Sequence, residues 1–148
     1  MSEKVESKKS ALRGEFGFFD DPRDTFEYII AKTKSLPRLP DALKKEENLV
    51  KGCVSSLWLA PSFDAQSGEC SFASDADSVI TRGIAALVCE TYTGLTPAEV
   101  LELSPGIFDE LKIGTQLTPN RRNGLGQLCA KIADFAKSRL GAGAPGSE

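Results

Sequence analysis

At 148 residues, 41% hydrophobic and 26% charged, the chain has the make-up of one soluble globular domain with a single sizeable core. A net charge of -3 with scattered lysines offers no positive field for nucleic acid, and the longest apolar run, Gly83 to Cys89, is far below the roughly 20 residues needed to cross a bilayer. The lack of any histidine removes the usual base of Ser/His/Asp and Cys/His hydrolases. With no Cys-x-x-Cys pair among the four cysteines, it also leaves no metal-ligand set, and the glycine-rich end lacks the spacing of a phosphate cradle, so neither a metal nor a nucleotide cofactor is expected.

The start, Met1-Ser2-Glu3-Lys4-Val5-Glu6, has no apolar stretch of the secretory kind, so a cytoplasmic protein with reduced thiols is expected. Residues 1–14 are Lys- and Ser-rich and non-periodic, and read as a flexible tail. The small-residue end, 141–148, reads the same way, leaving a single domain over 15–140. Asp21 as cap and Pro22 at the first position open a helix with Phe26, Ile29, Ile30 and Thr33 on one face, ending before Leu36-Pro37. Leu36-Pro37-Arg38-Leu39-Pro40 is too proline-rich for a helix and reads as an extended connector, with a short turn through Ala42 and Leu43 after it.

Val54 to Ala60 and Glu69 to Ala73 read as two strands joined across Pro61 to Gly68, whose Asp, Ser and Gly favour turns. Ser74-Asp75-Ala76-Asp77 carries the Ser-x-x-acid start signature, and Ile80, Ile84, Leu87, Val88 and Thr91 give the helical spacing that follows; Asp75 and Asp77 are read as first-turn acids. Thr96-Pro97-Ala98-Glu99 starts a short helix through Leu103. Thr118-Pro119 starts the last one, with Leu125, Leu128, Cys129, Ile132, Phe135 and Ala136 as its stripe and its end near Leu140. The sum is an α+β fold, a small antiparallel β-sheet packed against helices on one face.

One cysteine stands apart. In Val50-Lys51-Gly52-Cys53-Val54-Ser55-Ser56-Leu57-Trp58, Cys53 follows a glycine at the mouth of a strand, whereas Cys70, Cys89 and Cys129 fall in strand or helix interiors, where cysteine packs as a small hydrophobe. A reactive Cys53 needs thiolate, which Lys51 and the amides after Gly52 would favour; the plain alternative is a buried structural thiol. Arg121 is a second oddity, since two arginines in the first turn of a helix oppose its macrodipole.

These residues resemble the SufE family of sulfur-acceptor proteins. The resemblance rests on Leu36-Pro37, Val50-Lys51-Gly52-Cys53 with Ser55 and Trp58, Ser74-Asp75-Ala76-Asp77 with Ile80 and Arg82-Gly83, Thr93-Gly94-Leu95-Thr96-Pro97, and Leu117-Thr118-Pro119-Asn120-Arg121 with Asn123-Gly124-Leu125. It implies that Cys53 carries a persulfide taken from a group II cysteine desulfurase (SufS/CsdA-like). The carrier would stimulate that enzyme, catalyse nothing alone, and pass sulfur to a SufBCD-like scaffold complex for iron-sulfur cluster assembly. It further implies that Lys51, Gly52, Ser55, Asp77 and Arg121 support the loop or meet the partner. Val54, Ser56 and Gln116 depart from residues common in the family. Two alternatives stand beside this reading. One is a non-redox scaffold or regulatory binding module of the same machinery; the other is a peroxide-sensing or thiol-reductase protein, which usually needs a resolving cysteine beside the first, and the nearest in sequence, Cys70, is expected to be buried.

Overall fold

The computed structural model describes residues 2–50, 56–113 and 117–143. Its first element corrects the expected tail: Glu3–Phe16 is a helix, α1, capped by the Ser2 hydroxyl, which accepts from the amides of Lys4 and Val5. Val5, Leu12 and Phe16, seven and then four residues apart, line its buried face. Three large apolar residues in fourteen are too few to register as a period, and the helix owes its place to tertiary contacts. Ser2 Oγ donates to Glu99 at 2.7 Å, Lys4 Nζ pairs with Glu69 at 2.8 Å, and the Lys8 ammonium donates to the carbonyls of Glu90 and Thr93. Phe16, 1% exposed, packs edge-on against Tyr28 at 5.5 Å between ring centroids. Phe16→Ala is therefore expected to cost about 3–5 kcal/mol in urea unfolding; a loss below about 1 kcal/mol would make α1 the loose tail that its composition suggests.

Helix α2, Pro22–Thr33, begins as expected, with Asp21 accepting from the Arg23 amide. It lies close against α3, Val79–Tyr92, at Gly83, where an added Cβ would stand 2.9 Å from Thr33 Oγ1. Between α2 and the sheet the chain runs extended, with two single 3-10 turns at Asp41–Leu43 and Glu46–Asn48.

Strands β1, Leu57–Asp64, and β2, Glu69–Ala76, pair antiparallel from Leu57↔Ala76 to Asp64↔Glu69. Both reach further along the chain than the turn-forming residues suggest, to Asp64 and to Ala76. Pro61 sits within β1 because its partner Phe72 turns its amide and carbonyl outward to the Thr93 hydroxyl, so no ladder bond is due at that pair. The outer edge of β2 is covered in the same way, Cys70 N–H donating to Leu95 and the Cys70 carbonyl accepting from Gly94.

The remaining helices are α4, Pro97–Glu102, with the Thr96/Glu99 capping box formed in both directions, α5, Gly106–Glu110, which has no counterpart in the sequence reading, and α6, Pro119–Gly143. The last helix passes Leu140 through 143, while 144–148 of the expected tail lie outside the described residues. Helices α3 and α6 pack on the hairpin, burying Leu57, Leu59, Cys70, Ile84, Val88, Leu128 and Ile132 in one core.

Candidate functional site

Cys53, with Lys51, Gly52 and Ser55, lies outside the described residues, as do Val54 and Gln116. The structure does describe both ends of the segment that carries the cysteine. On the incoming side, Leu49 forms a bridge with Trp58 and the Val50 amide donates to the Leu57 carbonyl at 2.7 Å. On the outgoing side, the Ser56 carbonyl accepts from the Asp77 amide at 3.0 Å. The segment 51–55 thus leaves from and returns to the start of β1, with both ends hydrogen-bonded to the hairpin.

Asp77 therefore takes part through its backbone, with its side chain exposed just beyond β2. Arg121 occupies the first turn of α6, where its amide donates to the Thr118 hydroxyl at 3.3 Å. Arg121 lines a recess of about 10 Å³, the size of one water, together with Leu57, Thr81 and Leu117. The buried Thr81 hydroxyl has no hydrogen-bond partner among the described residues. Asp77 and Arg121, 44 residues apart in sequence (121 minus 77), are thus both placed at the start of β1, Asp77 bonded to Ser56 and Arg121 lining a recess with Leu57.

Asp75 corrects the reading of Ser74-Asp75-Ala76-Asp77 as a helix start. It belongs to β2, opposite Trp58, and α3 takes Ser78 as its cap instead. The reason is long-range: the Asp75 side chain is wholly buried and gathers Arg38 Nε at 2.8 Å, the Leu39 amide at 3.1 Å, its neighbour Ala76's amide at 2.8 Å and Lys44 Nζ at 3.3 Å. Burial pushes its carboxyl up, but the Ala76 amide, Arg38, the Leu39 amide and Lys44 together hold it below the usual carboxylate range. Lys44 also lies over the Trp58 ring, 5.5 Å from its centroid. Lys131 of α6 adds a further tie, donating to the carbonyls of Glu47 and Leu49. None of Arg38, Lys44, Thr81 and Lys131 was singled out by the sequence; an arginine inside a proline-rich connector was the one available sign.

The other three thiols are packed away from chemistry. Cys70 and Cys89 are buried and Cys129 half-buried. Burial raises all three, Cys89 to about 12 and Cys129 to about 11, the latter with help from nearby Asp109. For Cys89 and Cys129 the thiolate fraction near pH 8 is then about a thousandth or less, while Cys70 is wholly buried. Brief alkylation of the native protein near pH 8 is expected to leave these three cysteines unmodified, whereas denaturation releases all of them; peptide mapping that finds Cys89 or Cys129 labelled in the native state would refute this.

The SufE family model, described as an Fe-S metabolism associated domain, matches residues 10–136, and the chain belongs to that family. The sulfur acceptor protein CsdE of Escherichia coli is 34% identical over 127 residues, covering 85% of this chain and 86% of that protein. A SufE-like protein of Rhizobium etli is 36% identical over 131 residues, covering 86% and 88%. A solution structure of a hypothetical protein from Thermus thermophilus has the same fold, with a TM-score of 0.73 at 18% identity, over 91% of this chain and 97% of that one.

Proposed function

We propose that this protein is a sulfur acceptor that carries sulfane sulfur on Cys53 from a group II cysteine desulfurase to a cluster scaffold, SufBCD-like, and that it stimulates the desulfurase by clearing its persulfide. The observation that carries the reading is the family match across residues 10–136, which contains Cys53 within the Val50-Lys51-Gly52-Cys53 motif. The hydrogen bonds at Val50 and Ser56 support it, because they tie to the hairpin the two residues that flank the stretch containing Cys53.

The chemistry is exchange at sulfur. The Cys53 thiolate attacks the outer sulfur of the desulfurase persulfide, a new S–S bond forms at Cys53, the old S–S bond breaks, and the desulfurase cysteine leaves as thiolate. The proton on the outer sulfur travels with it, so Cys53-S-SH forms with no net oxidation. Such a step needs an accessible thiolate and a bound donor, and the carrier alone has no reaction to catalyse. Lys51, Gly52, Ser55, Asp77 and Arg121 are assigned to shaping the segment and meeting the donor.

Intact-protein mass spectrometry after incubation with a group II desulfurase and free cysteine tests this. Wild type is expected to gain sulfur that dithiothreitol removes, and Cys53→Ser to gain none. Equal gain by both proteins, or by neither, would give the lead to a binding module without sulfur chemistry.

A further inference from the structure

The segment that leads to Cys53 is poorly packed. Between Lys34 and Val50 the buried apolar residues are Leu39 and Val50 alone, while Leu36 is 49% and Leu43 36% exposed. Two prolines and two isolated 3-10 turns give it no continuous ladder of backbone bonds. Something other than apolar burial must therefore fix its course across the hairpin.

We propose that Asp75 is a positioning residue for Cys53: its buried carboxylate pins the connector to the hairpin and so sets how the thiol is presented to the sulfur donor. This rests on the sulfur-carrier reading above.

One cross-strand pair, Trp58↔Asp75, receives the connector twice. Near its beginning, Arg38 and the Leu39 amide bind the Asp75 carboxylate, and Lys44 bridges from that carboxylate to the Trp58 ring. Near its end, Leu49 bridges to Trp58, and the next residue, Val50, is bonded to Leu57. The chain then enters the Cys53 segment directly. A shift of the connector along β1 would move the base from which 51–55 departs. A buried carboxylate among cations is a costly way to gain stability, since apolar side chains of like volume commonly do as well, whereas its directional bonds specify one arrangement.

The test combines a measurement made without any partner and one made with it. The variants are Asp75→Asn, which keeps one acceptor oxygen and loses the charge, and the double variant Arg38→Gln/Lys44→Gln, which leaves Asp75 in place for the Leu39 and Ala76 amides. Phe16→Ala serves as a control, destabilised at a site away from the connector. The rate of Cys53 alkylation in the free protein, assigned by peptide mapping, is expected to change at least threefold in both connector variants and to stay at the wild-type value in Phe16→Ala. With the desulfurase and free cysteine, maximal stimulation is expected to fall at least tenfold, with the half-saturating concentration within twofold of wild type.

Wild-type alkylation and stimulation in the folded connector variants would overturn the proposal. So would a raised half-saturating concentration at unchanged maximum, which would make the connector a docking surface instead. If Asp75→Asn does not fold at the assay temperature, the double variant decides. If wild type accepts no sulfur, the carrier reading has failed, and the alkylation rates still decide whether Asp75 sets the exposure of Cys53.

Discussion

Cys53→Ser is expected to reduce desulfurase stimulation to the level of the desulfurase alone, and in excess to inhibit stimulation by wild type. A serine hydroxyl ionises far above neutral pH and is a poor nucleophile toward sulfur, so the S–S bond of the donor persulfide is not broken. What remains is docking, because the replacement changes one atom in a segment whose ends are held by Leu49, Val50, Ser56 and Asp77 through backbone bonds. The inactive variant should therefore compete with wild type for the desulfurase at a similar half-saturating concentration, measured as loss of turnover at fixed wild-type carrier. Removal of a group that acts only in the chemical step lowers the maximum without altering binding. Stimulation by Cys53→Ser equal to that of wild type would mean that the chain activates its partner by binding, and the carrier reading would fall.

Much of this architecture was legible where the deciding chemistry is local. Asp21-Pro22, Thr96-Pro97-Ala98-Glu99 and Thr118-Pro119 each start a helix where expected, because a cap and a first-turn proline act on amides two or three residues away. The interior places of Cys70 and Cys89 followed in the same way from alternation and helical spacing. Helix α1 was not legible, since its face of Val5, Leu12 and Phe16 gains its stability from α4 and the core. The tetrapeptide Ser74-Asp75-Ala76-Asp77 met the local rule for a helix start, yet Asp75 satisfies residues 36 and 37 positions earlier in the chain. A pattern that is sound at short range was overruled by a buried charge and its distant partners. For the candidate site, the sequence named Asp77 and Arg121 without showing that Asp77 bonds Ser56 through its backbone amide or that Arg121 lines a recess with Leu57.

Truncating Asp75 should cost substantial stability beside the site. Asp75→Ala removes the acceptors of the Leu39 and Ala76 amides together and leaves Arg38 and Lys44 without their anion. Each buried amide left unpaired costs about 1–3 kcal/mol, while Arg38, half in solvent, can turn to water, so about 3 kcal/mol in all is expected near pH 7. The pH dependence has a definite sign. The carboxyl is held below its unfolded value in the native state, so its contribution is full above the unfolded value of about 4 and is lost as pH falls through the lower folded value. Urea unfolding of wild type and Asp75→Ala should accordingly give curves separated near neutrality that approach one another below about pH 4. A separation that persists unchanged into acid would mean that the variant loses packing and not charge. A neutral-pH separation under about 1 kcal/mol would show that Lys131 and the bonds at Leu49 and Val50 hold the connector without the carboxylate.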